Sequence, residues 1–261
     1  MLQATDIELR AGAQVLLAGA NFRIDKGERI GLVGRNGAGK TTLTKVMAGV
    51  GQPAVGSVTS NGTVGYLPQD PRTGDLDVVA LDRILSARGL DQTLARLRQA
   101  EQDMASDDPA VRDRGMRKYS SAEAAFQSAG GYAAESEASS LAGSVGLPVH
   151  VLGQTLATLS GGQRRRVELA RILFSGADTL LLDEPTNHLD ADSIAWLRSF
   201  LFNHDGGLVV ISHDVELLEA TVNRVFHLDA NRQVLDVYNV GWKAYRSEEH
   251  TSELQSRETI S

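Results

Sequence analysis

Apolar and polar positions change period several times along the chain, and each change predicts an element. From Leu2 to Leu9 they alternate, as in a strand with one buried face, and short apolar runs follow at Val15-Leu16-Leu17 and Asn21-Phe22-Arg23-Ile24. Turn signals at Gly12, Gly19 and Asp25-Lys26-Gly27 separate these runs, so a small antiparallel β lobe is expected. Residues 28–33 read as a buried strand and 41–48 as a helix. Gly56–Thr59 and Thr63–Leu67 flank Asn61-Gly62, a two-residue turn signal that predicts a hairpin. From Asp77 to about Gly146 the period becomes helical, in segments at 77–85, 93–104 and 132–145 and in one that starts at Asp108-Pro109 and runs to Ser128. A helix over 164–173 and two apolar strands, Thr179–Asp183 and Gly207–Ile211, complete the pattern. The fold class is therefore α/β, with an antiparallel lobe and a helical insert.

Composition narrows the function classes more than the fold. The chain has 261 residues, 42% hydrophobic and 23% charged, as in a globular protein. No run approaches the length of a membrane helix, so no membrane insertion is expected. No basic stretch followed by an apolar run opens the chain, and there are no cysteines; both fit a cytoplasmic location. A net charge of −7 argues against general nucleic-acid binding but leaves room for a local basic patch. The cluster Arg112, Arg114, Arg117 and Lys118 lies among acidic residues and reads as a solvated face rather than an RNA contact.

Candidate chemistry collects where strands end. Gly34-Arg35-Asn36-Gly37-Ala38-Gly39-Lys40-Thr41 fits G-x-x-x-x-G-K-[ST] between a strand and a helix, the context of a phosphate cradle. Its glycines let backbone N–H groups converge on phosphate oxygens, and the helix N-terminus adds partial positive charge. Lys40 can reach the β- and γ-phosphates of a nucleotide, and Thr41 can ligate Mg²⁺. Leu159-Ser160-Gly161-Gly162-Gln163 precedes a second helix and forms a second anion-binding N-terminus; a capped helix with a glycine-rich lead-in is the plainer reading. Arg164, Arg165 and Arg166 follow on successive helix faces and form no single stripe. The strand at 179–183 ends in Asp183-Glu184: Asp183 can hold Mg²⁺, and Glu184 can act as general base on the attacking water. Ser212-His213 closes another buried strand, at the edge where ligands bind in open α/β sheets.

In this order, the phosphate loop, Tyr66-Leu67-Pro68-Gln69, Leu159-Ser160-Gly161-Gly162-Gln163, Leu180-Leu181-Leu182-Asp183-Glu184 and Ser212-His213 resemble the nucleotide-binding domain of ATP-binding cassette (ABC) proteins over about residues 1–245. The resemblance implies a P-loop NTPase core of RecA type, an antiparallel β lobe and a helical subdomain at about 77–146. It also implies Mg²⁺-ATP hydrolysis by two cassettes paired head to tail, each ATP lying between one phosphate loop and the partner's signature segment. Carried over, Gly34, Asn36, Gly37, Ala38, Gly39, Lys40, Thr41 and Thr42 bind phosphates, with Thr41 and Asp183 on Mg²⁺. Gln69 senses the metal and the water, and Glu184 and His213 serve the attack. Ser160, Gly161, Gly162 and Gln163 face the nucleotide of the partner cassette, and Asp190 lies at the seam.

Glu184-Pro185-Thr186-Asn187-His188-Leu189-Asp190, with Asn-His where transporter ATPases more often carry a small pair, resembles the ABC-F subfamily of tandem-cassette ATPases that act on ribosomes, some conferring antibiotic resistance. Tyr238–Tyr245 resembles the stretch before the linker of that subfamily. A second cassette, in cis or as a head-to-tail dimer, and the ribosome with its rRNA or tRNA are the implied partners. The alternatives are the ATP-binding subunit of a transporter, or a nucleotide-binding half inactive without a second cassette. Arg10–Leu17 lacks the aromatic residue that usually stacks on adenine, so selectivity over guanine is expected to be weak; Phe22 reads as a core residue. Residues 246–261 match nothing in the family and resemble a translation of sequencing-adapter DNA (AGA TCG GAA GAG CAC ACG TCT GAA CTC CAG), so an unstructured, artefactual tail is expected there.

Overall fold

The computed structural model describes residues 1–69 and 75–247. They fall into two compact units: an α/β unit of residues up to 69, 177–187 and from 194 onward, and a helical unit of residues 75–176 and 188–193.

In the α/β unit the chain opens with β1 (Leu2–Ala11), β2 (Gln14–Ile24), β3 (Arg29–Val33), α1 (Lys40–Met47), β4 (Val55–Ser60) and β5 (Val64–Leu67). The helical unit supplies α2 (Ala80–Leu85), α3 (Asp91–Met104), α4 (Pro109–Ser128), α5 (Gly131–Ser144) and α6 (Gly161–Phe174). The chain then continues through β6 (Thr179–Asp183), α7 (Ala191–Phe202), β7 (Gly207–Ile211), α8 (Val215–Thr221), β8 (Arg224–Asp229) and β9 (Val234–Tyr238).

Two sheets organise the α/β unit. One is antiparallel, in the order β2-β1-β4; the other runs β5-β6-β7-β3-β8-β9, parallel except for its last pair. Every residue of β6 and β7 is buried, which explains their unbroken apolar runs: a central parallel strand is covered on both faces. Side chains of β1, β2, β3, α1, β6, β7 and β8 share one core, where Phe22 meets Phe226 edge to face at 5.3 Å. Phe22 is thus a core residue, as its strand position predicted.

The structure corrects the sequence reading at three places in this unit. Gly19 is not a turn: it sits inside one continuous strand β2, at φ +62°, where the β1–β2 register shifts. Asn61-Gly62 closes no hairpin, because β4 pairs with β1 while β5 pairs with β6. Thr63 instead donates its backbone N–H (2.8 Å) and its hydroxyl (2.9 Å) to the Asp178 carboxylate, and this carries the chain from one sheet into the other. Residues 242–247 are helical, so Arg246 and Ser247 continue an element beyond the expected boundary at 245, while the rest of the expected tail, 248–261, lies outside the described residues.

In the helical unit, α4 begins where Asp108-Pro109 predicted, with Asp108 Oδ1 accepting from Ala110 N at 2.8 Å. A cap of this kind contributes about 1 kcal/mol to its helix. α2 starts at Ala80 rather than 77, since Val79 is taken up by a bridge to Thr155. Glu168 on α6 is buried but not stranded: Arg83 Nε on α2 donates to it at 2.6 Å and Arg171 Nε at 2.8 Å. A buried carboxylate without such partners would cost several kcal/mol. Arg114, Arg117 and Lys118 on α4 are exposed, and Arg112 Nη1 donates to Ser106 O.

Candidate functional site

A cavity of about 500 Å³ opens in the α/β unit at the ends of β3, β6 and β7, lined among others by Asn36, Gly37, Gly39, Lys40, Thr41 and Thr42. Gln69, Asp183, Glu184 and His213 line it as well. Sequence segments up to about 200 positions apart thus meet because β6 and β7 lie side by side next to β3 and end at one edge. Gly34 and Ala38 do not line the cavity and serve the loop from inside. Ala38 is buried, and Gly34 (φ +148°) passes so close to Leu228 O that a Cβ there would lie 2.6 Å from it.

The loop wraps the N-terminus of α1, whose N-cap Gly39 has φ +102°, a conformation open to glycine at little cost. Lys40 Nζ bends back over the loop and donates to Gly34 O at 2.8 Å and Arg35 O at 3.2 Å. Partial burial lowers its pKa from the ordinary lysine value, while the charges of Asp183 and Glu184 pull it back up. Thr41 Oγ1 donates to Asp183 Oδ2 at 2.9 Å.

Glu184 is the strained residue of the site. It lies just past β6 at φ +50°, uncommon for a side chain larger than glycine and costing about 1–3 kcal/mol. The neighbouring strand holds it there, for its N–H donates to Ile211 O at 2.8 Å. Its carboxylate is almost wholly buried, and His213 approaches it from β7 with Nε2 3.4 Å from Oε1. Burial raises the Glu184 pKa above the usual carboxylate range, and His213 only partly offsets this. A carboxyl poised in this way is suited to taking a proton.

The donor set fits a phosphate chain and a hard divalent cation. Backbone donors, one lysine and a helix N-terminus converge on the cavity, and a hydroxyl and a carboxylate sit side by side within it. Among the described residues no cluster of three or more His, Asp or Glu could hold a metal alone. The Thr41–Asp183 pair suits Mg²⁺, which keeps waters and takes substrate oxygens to complete its shell.

Ser160, Gly161, Gly162, Gln163 and Asp190 belong to the helical unit and do not line this cavity. Ser160 caps α6 in a reciprocal box: Gln163 N donates to Ser160 Oγ at 3.2 Å, and Ser160 N to Gln163 Oε1 at 2.9 Å. Asp190 Oδ1 accepts from Ser193 N at 2.9 Å. The sequence reading missed several contributors. Gln14 and Leu16 line the phosphate cavity beside Ala11, in the segment noted only for lacking an aromatic. His188, at φ +70°, packs beside Gly162, which spacing along the chain could not reveal.

A family model described as "ABC transporter" matches residues 17–187, well over half the chain. The chain belongs to this family. As an ABC ATP-binding cassette it joins a P-loop α/β core to an antiparallel sheet and a helical subdomain. Among curated proteins, the cassette is 32% identical over 99% of its length to the uncharacterized ABC transporter ATP-binding protein YfmR of Bacillus subtilis. It is 36% identical over 83% of its length to the tylosin resistance ATP-binding protein TlrC of Streptomyces fradiae. The energy-dependent translational throttle protein EttA of Haemophilus influenzae is 37% identical over 78% of the chain. The chain spans only 40%, 40% and 36% of these three relatives. Among solved structures, a dimeric bacterial ABC transporter cassette aligns over 92% of this chain and 98% of its own, with a TM-score of 0.65 and 17% identity. An RNase-L inhibitor aligns over 97% of this chain and 42% of its own, with a TM-score of 0.65 and 21% identity. No helix among the described residues is long and apolar enough to cross a membrane.

Proposed function

We propose that the cassette hydrolyses ATP with Mg²⁺ and is the N-terminal part of a ribosome-associated ATPase of ABC-F type. The observation that carries the chemistry is the junction of Lys40, Thr41, Asp183, Glu184 and His213 in one cavity. Lys40 Nζ leaves Gly34 O and Arg35 O to hold the β- and γ-phosphate oxygens. The loop N–H groups orient the phosphate chain. Thr41 and Asp183, with Gln69, would hold the cation, which when bound would supply positive charge against the phosphate oxygens. Glu184 accepts the proton of the attacking water at its buried carboxylate, and His213 steadies that carboxylate and the γ-phosphate. Ala11, Gln14 and Leu16 take the base without aromatic stacking, so discrimination between ATP and GTP is weak.

The second half of each site comes from a paired cassette, whose signature segment meets the γ-phosphate bound to this one. The similarity to a translational throttle protein and to a tylosin resistance protein supports a role on the ribosome, as do Asn187 and His188. The working location is the cytoplasm.

The test uses the protein at the full length its gene encodes, with Glu184→Gln and the equivalent change in a second cassette to hold the ATP-bound state. Sedimentation with ribosomes only when Mg²⁺-ATP is present supports the reading. A protein that stays at the top of the gradient, or floats with membranes, points instead to a transporter subunit.

A further inference from the structure

We propose that Arg166 is a positioning residue of the ATPase cycle: its guanidinium locks the backbone of His188 to the signature helix and so presents Ser160, Gly162 and Asp190 as one rigid edge. The inference rests on the ATPase reading above and adds a determinant to it.

Arg166 lies on α6, three residues beyond Gln163 of the capping box. Its Nε donates to His188 O at 2.9 Å, and its Nη1 to Gly146 O at 2.7 Å. One planar fork thus ties the start of α6 to the turn after α5 and to the segment that follows Glu184 in sequence. These contacts converge in little space: a Cβ on Gly146, itself at φ +78°, would lie 3.0 Å from Arg166 Nη1, 3.0 Å from Ser193 Oγ and 3.1 Å from Asp190 Oδ2. Hydrogen bonds from Ser193 hold the Asp190 carboxyl below its usual pKa, with the Arg166 charge adding to them. On the other side of the clamp, the His188 side chain packs against Gly162: a Cβ there would touch His188 Cβ at 3.6 Å.

His188 reaches this position only through the left-handed backbone that aims its carbonyl at Arg166. Arg166 makes this fork, while the neighbouring Arg165 is buried. A lysine has no rigid fork and cannot reproduce two divergent bonds to carbonyls.

The experiment measures steady-state turnover and equilibrium ATP binding, in the protein at the full length its gene encodes, for Arg166→Lys, Arg166→Ala, His188→Gly and His188→Val. A group acting by alignment costs turnover rather than affinity. The two Arg166 variants are expected to lose about 10- to 100-fold in kcat, with ATP affinity at Lys40 within about twofold of wild type. His188→Gly keeps the left-handed backbone and the carbonyl, and is expected to stay within about threefold of the wild-type rate. His188→Val disfavours that backbone and is expected to fall with the Arg166 variants. A wild-type rate in Arg166→Lys would overturn the inference, as would parallel losses of kcat, ATP affinity and melting temperature in Arg166→Ala. If wild-type protein shows no turnover, or Lys40→Ala leaves turnover unchanged, the ATPase reading itself has failed and this inference with it.

Discussion

The two units carry the same kind of element, a helix N-terminus behind a glycine-rich segment, and use it differently. In the α/β unit, the N-terminus of α1 faces a lysine, a hydroxyl–carboxylate pair and a buried, strained glutamate, all at one sheet edge. In the helical unit, the N-terminus of α6 faces none of these, and its Ser160 and Gln163 are satisfied by each other. The first arrangement can bind a nucleotide and move a proton. The second offers a helix N-terminus whose cap is closed on itself, with the His188 side chain beside Gly162. Under the proposed function, the α/β unit supplies the chemically competent half of a site and the helical unit its recognition half.

The sharpest way to break the comparison is to remove the proton acceptor. Glu184→Gln is expected to lower turnover by roughly 10²- to 10⁴-fold while ATP still binds, checked by phosphate release and nucleotide titration. The same change should raise the melting temperature at neutral pH. Burial raises the Glu184 pKa in the fold, so the native state is penalised for the charged form once pH rises through that value. Glutamine removes the penalty, and the gain should vanish below the unfolded carboxylate pKa.

Lys40→Ala comes next. Losing charge-assisted hydrogen bonds of about 1.5–3 kcal/mol should weaken ATP binding roughly 10- to 100-fold, read by titration with a fluorescent nucleotide. A rate profile against pH sharpens the assignment of the base. Glu184 must be ionised to act, so the acid limb of turnover should fall at a pH above the ordinary carboxylate range, and an activity limb at the ordinary value would point to another base.

The smallest effect belongs to the helical unit. Ser160→Ala removes one cap, about 1 kcal/mol of stability, and should leave ATP affinity at Lys40 untouched while turnover falls in a paired protein. An equal loss of affinity would erase the distinction between the halves.

Much of this was legible in the sequence because the decisive pieces are local. A strand, a glycine-rich turn and a helix can be read from contiguous residues, and so can a strand that ends in Asp183-Glu184. The α4 start at Asp108-Pro109 was equally local. What failed depended on partners far away. Asn61-Gly62 carries a hairpin signal, but Asp178, over a hundred residues on, captures Thr63 and sends β5 to another sheet. The strain at Glu184 and the Arg166 fork have no signature in residue spacing, since both come from strands and carbonyls that only the fold brings near. Arg164, Arg165 and Arg166 look alike as letters; one of them holds the backbone of His188.

The most direct measurement follows ATP binding and Mg²⁺-dependent turnover by this chain as its concentration is raised, with and without an added second cassette. The account predicts that turnover per chain climbs with concentration or when the second cassette is supplied, and that apparent ATP affinity tightens with it, because a partner that touches the bound nucleotide couples pairing to binding. Turnover per chain that is constant down to nanomolar concentration, with no response to a second cassette, would contradict the division into a competent half and a recognition half.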